Sequence, residues 1–179
     1  MRLSTGLFHA KNAALLLLTW VGSAWVYGAL PDTMPGHFGL LGQVSYYTET
    51  TALRWFMLPA VALFLAGTMY GIAALMARFP EHMNMPDPDA FEQLTPGRKA
   101  VVIQLTKDVL YGITALLLLM LAVLQLGIYS VALNGADLLP IYTRVVLWVS
   151  LPLLILIGPV VVWLLHDTTQ QLYREQMGE

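Results

Sequence analysis

The chain has 179 residues, room for one domain, and 58% of them are hydrophobic while only 11% are charged. A soluble domain carries roughly 25% charged residues, so too few are present here to clothe a water-exposed globule. The net charge of −2 offers no basic field to nucleic acid. The absence of cysteine excludes disulfides, thiolate metal sites and a cysteine nucleophile.

A hydrocarbon layer about 30 Å thick is crossed by roughly 20 apolar residues in helix. Four stretches meet that length, at 12–30, 55–77, 109–133 and 145–165. Backbone amides must be satisfied within each segment in lipid, so helices are expected. The expected fold class is an all-α integral membrane four-helix bundle, one membrane domain over 1–179.

The first span runs from Asn12 to Leu30 and stops at Pro31. Gly22-Ser23-Ala24 resembles a signal-peptide cleavage site, but apolarity continues through Trp25, Val26 and Tyr27, so the segment is expected to remain as a span. The connection 31–54 follows. Pro35-Gly36 predicts a tight turn that brings Asp32 to His37, with Phe38 dipping into the interface. An acid beside an imidazole suits metal binding or pH sensing; the plainer reading is a hydrogen bond that fixes the turn. Asp32, Pro35, His37 and Phe38 are the candidate partner-binding residues.

In the second span Gly67 and Gly71 are four residues apart, with Ala66 alongside. Small residues at that spacing let helix backbones approach; the expected neighbour is another helix of the same chain, the alternative a second copy. The connection 78–108 contains His82-Met83-Asn84-Met85. No metal or cofactor is expected, but His82, Met83 and Met85 are the donor set on which a copper(I) site would draw. Pro86-Asp87-Pro88 predicts a turn, and Asp89 three before Glu92 a capped short helix through Leu94. Thr95-Pro96 then reads as N-cap and first helical residue, and nothing breaks the pattern before Gly127. One long helix over 96–133, about 57 Å, is predicted. Pro59, Pro152 and Pro159 are expected to bend the second and fourth spans.

Orientation follows from lysine and arginine in the flanks. Arg2, Lys11, Arg78, Arg98, Lys99, Lys107 and Arg174 fall on one side, against Arg54 and Arg144 on the other. Both termini and the 78–108 connection are therefore expected in the cytoplasm, and 31–54 outside. Trp55, Tyr129, Tyr142 and Trp148 near the outer span ends, and Tyr111 and Trp163 near the inner ones, are expected to anchor in the headgroup layer.

None of the spans holds Asp, Glu, Lys, Arg or His in its interior; the most polar mid-span side chain is Gln125. Intramembrane ionisable groups mark ion paths and proton relays, so their absence argues against a pump. Nucleophile elbows, phosphate-binding glycine loops and zinc-protease motifs are missing too, and no enzymatic activity is expected. His9, His82 and His166 lie towards the inner side, where histidines can ligate haem.

The segment Leu30-Pro31-Asp32, Pro35, His37-Phe38 and then Gly42, placed just after a first membrane helix, resembles a domain of unknown function. That domain forms the N-terminal part of SdpI-type bacterial immunity membrane proteins. Arg78-Phe79-Pro80 through Asn84-Met85-Pro86 is similar to longer members, so the resemblance covers roughly residues 14 to 90. Where the family often has an acid, a tryptophan and a lysine after the glycine, this chain has Ser45, Tyr47 and about Thr50, and the role of that lysine does not carry over. The second half of SdpI proteins is not recognisable. The resemblance implies an inner-membrane protein of bacterial type that recognises a peptide or protein partner. The rival expectations are an accessory subunit of a larger membrane complex and, in a different class, a haem or copper protein.

Overall fold

Each of the four apolar runs winds into a helix, and the helices outrun the runs wherever polar residues still find partners. The computed structural model describes residues 2–178, with side chains from Gly6 onward. Its long helices are α1 (Arg2–Val26), α3 (Met57–Arg78), α5 (Pro96–Asn134) and α6 (Ile141–Met177), with short helices α2 (Ala52–Trp55) and α4 (Pro88–Gln93) between them. All four long helices have the length and apolarity to cross a membrane. The protein is a multi-pass membrane protein, and an even number of crossings leaves both termini on one side.

The mast of the bundle is α5, on which α1, α3 and α6 all pack, while α1 and α3 also touch each other. Its buried positions Tyr111, Thr114, Leu118, Leu121 and Gln125 recur at alternating steps of three and four, the spacing that keeps one helical face turned to its neighbours. Ala62 and Ala66 of α3 meet Leu118 and Leu121 there. Thr95 and Pro96 open α5 as predicted, and Gly135 closes it in the left-handed conformation at φ 58°. The predicted long third helix is observed one residue longer.

At the end of the bundle that holds the termini, α6 continues twelve residues past its apolar stretch. The extension is held by packing: Met85, Phe91, Leu94, Val102 and Leu165 form a small core between α4, α5 and α6, with Leu172 and Tyr173 against it. Hydrogen bonds stitch its rim. The side chain of Asp87 accepts from the Ala90 amide at 3.2 Å and from Gln170, making Asp87 the cap of α4 and placing Asp89 in its first turn. Arg98 donates to the Leu172 carbonyl, and Gln176 receives the Thr95 amide at 2.9 Å.

Two expectations are corrected. The class is not purely α, because the 31–54 connection folds as an antiparallel hairpin of β1 (Thr33–Phe38) and β2 (Val44–Glu49). Valine, threonine and tyrosine dominate β2, and such side chains suit a pleated surface. Pro35 is accommodated because a two-stranded ribbon consists of edges, where a missing donor is tolerated, and the ladder shifts register just after it. Nor do Gly67 and Gly71 seat a neighbouring helix of this chain: both are exposed, and a Cβ on either would meet nothing within 4 Å. The close approach is made one face round, by Ala62, Ala66 and Ala73. The glycine that does carry a helix contact is Gly127, where a Cβ would lie 2.5 Å from Thr143 Oγ1. As for the prolines, α6 stays helical through both Pro152 and Pro159.

Gly127→Val should therefore force α5 and α6 apart and lower stability by about 1–3 kcal/mol, whereas Gly67→Ala should leave it unchanged. Thermal unfolding in detergent, followed by the loss of monodisperse material, checks both; equal effects would contradict this placement of the α5–α6 contact.

Candidate functional site: the hairpin platform

The hairpin is built upon Trp55, the last residue of α2. Its ring is 1% exposed, and its indole N–H donates to the Ser23 carbonyl of α1 at 2.9 Å. The Trp55 carbonyl in turn accepts from the Gln125 side chain of α5 at 3.2 Å, and Tyr129 packs beside the ring at 6.3 Å. One residue thus ties α1 and α5 to the start of α3. This corrects the expectation of a headgroup anchor, and Tyr111, 6% exposed, is likewise a core residue. Tyr142, Trp148 and Trp163 do face outward.

Met34 of β1 caps the Trp55 ring, in one cluster with Ala132 of α5. On its other flank the hairpin grips the α5–α6 connection. The Val44 amide donates to the Asp137 carbonyl at 2.8 Å, the Leu139 amide to the Gly42 carbonyl at 2.8 Å, and the Tyr47 hydroxyl to the Ala136 carbonyl at 3.0 Å. Gly42 sits at φ 85°, and a Cβ there would crowd the Arg144 side chain at 3.1 Å, so both conformation and space call for glycine. Arg54 donates to the Glu49 carbonyl at 2.8 Å, closing the base.

What is left uncovered is an aromatic and aliphatic surface. Leu40 is 92% exposed at the turn, with Leu41 and Tyr46 also open. His37 lies parallel to the Tyr46 ring at 6.4 Å and shares a hydrogen bond with Ser45 Oγ at 3.1 Å. Gly36 leaves the room into which the Tyr46 ring folds.

Of the four predicted residues, His37 lies on this surface, Phe38 is half-buried, and Pro35 is buried like Met34 before it. Asp32 is not its neighbour. Four residues of strand lie between the two, placing them on the order of 15 Å apart, and the Asp32 carbonyl is used to bind the Thr50 amide. The partners of His37 are Ser45 and Tyr46, which sequence reading overlooked although the β-branched and aromatic residues of Val44–Thr48 favour a strand.

Met85 is buried in the small core, while His82 is exposed and 3.3 Å from Glu81; both border, with Met83, a cavity of about 670 Å³ floored by Thr106 and Leu165. Among the described residues no cluster of three His, Cys, Asp or Glu converges. His9 engages Tyr70 and Tyr111, whereas His166 lies 3.9 Å from Asp87, so the two imidazoles do not share a neighbour.

Residues 14–63 match the model of a domain of unknown function, DUF1648. The match takes in the second half of α1, the whole hairpin, Trp55 and the first turns of α3, and so coincides with the platform and its anchor. No curated protein and no solved structure matches the chain.

Removing the anchor should release the platform. Trp55→Ala is expected to cost about 3–5 kcal/mol, and Trp55→Phe, which loses the indole donor and part of the ring volume but keeps an aromatic ring, about 1–3 kcal/mol. Limited proteolysis at the Gly39–Gln43 turn reads this directly; a turn as resistant in Trp55→Ala as in the parent would show that the anchor holds nothing.

Proposed function

We propose that the protein is a non-enzymatic, SdpI-like protein of the bacterial inner membrane that recognises a peptide or protein partner with its hairpin, on the outer side. The observation that carries this reading is the platform itself. A short sheet is held from below by Trp55 and from the side by the α5–α6 connection, yet presents Leu40, Leu41, His37 and Tyr46 uncovered. Binding surfaces gather their energy in a few aromatic and apolar anchors, best when these are already ordered. The family match over 14–63 adds weight, since it spans that element. Charge supports the orientation: Arg78, Arg98, Lys99 and Lys107 lie at the end with the termini, and Arg54 and Arg144 at the hairpin end.

A second reading, an accessory subunit of a larger complex, is favoured by α6. Within the membrane it packs chiefly on α5, and Val145, Trp148, Val149, Ile155 and Leu156 all face outward. Lipid-facing and partner-facing helix surfaces share this composition.

Because the chain lacks cysteine, single cysteines report orientation on a clean background. Leu40→Cys should react with a membrane-impermeant maleimide in intact spheroplasts and Glu92→Cys only after lysis; the reverse pattern would invert the topology. Recognition is tested by mass spectrometry of whatever co-purifies with tagged protein in mild detergent. A hairpin partner should be lost, by about ten-fold or more, from both His37→Ala and Tyr46→Ala at unchanged expression. A partner retained by both variants but lost when Trp148 and Ile155 are replaced by alanine would favour the subunit reading.

A further inference from the structure

We infer that the groove between α1 and α3, in the half of the bundle nearer the termini, binds a neutral membrane lipid bearing a free hydroxyl. The groove has a volume of about 410 Å³ and runs between His9, Asn12 and Leu16 on α1 and Leu63, Gly67 and Tyr70 on α3. Gly67 creates it: no other atom approaches the space where its Cβ would be. Gly67 is midway along α3, and Tyr70 one turn nearer the termini, so the polar end of the groove lies about 5–10 Å from the middle of the helices.

That polar end is a small network with one member left over. Asn12 is 1% exposed. Its side-chain nitrogen donates to the Tyr70 hydroxyl and to the Tyr111 carbonyl, each at 3.2 Å. A carbonyl only accepts, which fixes the amide's orientation. The Tyr70 hydroxyl, having accepted from Asn12, is 2.9 Å from His9 Nδ1, to which it donates in the tautomer that leaves Nδ1 unprotonated. In that tautomer the Tyr70 proton and the Asn12 amide are both used, while Asn12 Oδ1 is buried without a partner on a residue that lines the groove. The site lacks one hydrogen-bond donor.

The occupant is defined by that deficit and by charge. No Lys, Arg, Asp or Glu lines the groove among the described residues. A phosphate would bring acceptor oxygens to an acceptor, with no lysine or arginine in the lining to balance it. A hydroxyl brings the missing donor without charge, and its hydrocarbon chain follows Leu16, Leu63 and the space over Gly67 towards the middle of the bundle. Diacylglycerols and isoprenoid alcohols have this chemistry.

The experiment uses the full chain in phosphatidylcholine nanodiscs with dioleoylglycerol carrying a photoactivatable diazirine on one chain. Crosslinks are expected within residues 9–16 and 63–70. Unlabelled dioleoylglycerol should compete about ten-fold better than its acetate ester, which lacks only the donor, or than dioleoyl phosphatidylglycerol or phosphatidylethanolamine. Gly67→Leu, which fills the groove without touching the helix contacts, should abolish the crosslink. Equal competition by the ester or by either phospholipid would overturn the inference, as would undiminished labelling of Gly67→Leu. So would a crosslink between two copies of the chain through cysteines placed at position 67, since the groove would then be a chain–chain contact.

Discussion

Helices in lipid gain nothing by hiding apolar surface from one another, because the solvent they would leave is as apolar as they are. Association then rests on close contact of small residues and on hydrogen bonds that lipid cannot supply. Trp55 is where the second of these is concentrated. Its indole and its carbonyl reach two different helices, and each group would be left without a partner if either neighbour moved away. The first is supplied by Ala62 and Ala66 against α5, and by Gly127 against Thr143. The hairpin, the bundle and the entry into α3 all follow from this node.

The helices were legible because a long apolar run has one solution in a membrane. Thr95 and Pro96 marked the start of α5 in the chain as clearly as in the structure. The hairpin was not legible to a reading that weighed Pro35-Gly36 as a turn and passed over Val44–Thr48, although proline in an edge strand is compatible with pairing. Nor does sequence say which face of a helix meets a neighbour. Gly67/Gly71 and Ala62/Ala66 are equally good small-residue pairs on α3, and only the position of α5 makes the alanines the contact. Likewise Trp55, at the edge of a span, has the address of an interfacial tryptophan; it is buried because Ser23 offers a carbonyl within reach.

For the site, the chain marked the right segment and the wrong pair. Asp32 and His37 were joined by an imagined turn, whereas the strand between them sends them apart and gives His37 to Ser45 and Tyr46. The polar trio of His9, Asn12 and Tyr70 could not be read at all, since its members are 58 and 61 residues apart and meet only when α1 and α3 pair. Counting ionisable residues within spans passed over it, because asparagine and tyrosine are neutral.

The hairpin's grip on the α5–α6 connection has a mechanical meaning. From Ile141 to Met177 the chain is a single helix, roughly 55 Å from end to end. Its first turn adjoins the strand that carries the exposed aromatics, and its last turns clasp α4 through Gln170, Tyr173 and Gln176. Of the connections at the two ends, one touches the hairpin and the other lies beside α4, and α6 joins them like a pushrod. Its backbone ladder is interrupted only where Pro152 and Pro159 lack an N–H to return, so any give in the rod is confined to the stretch that Pro152 and Pro159 bracket.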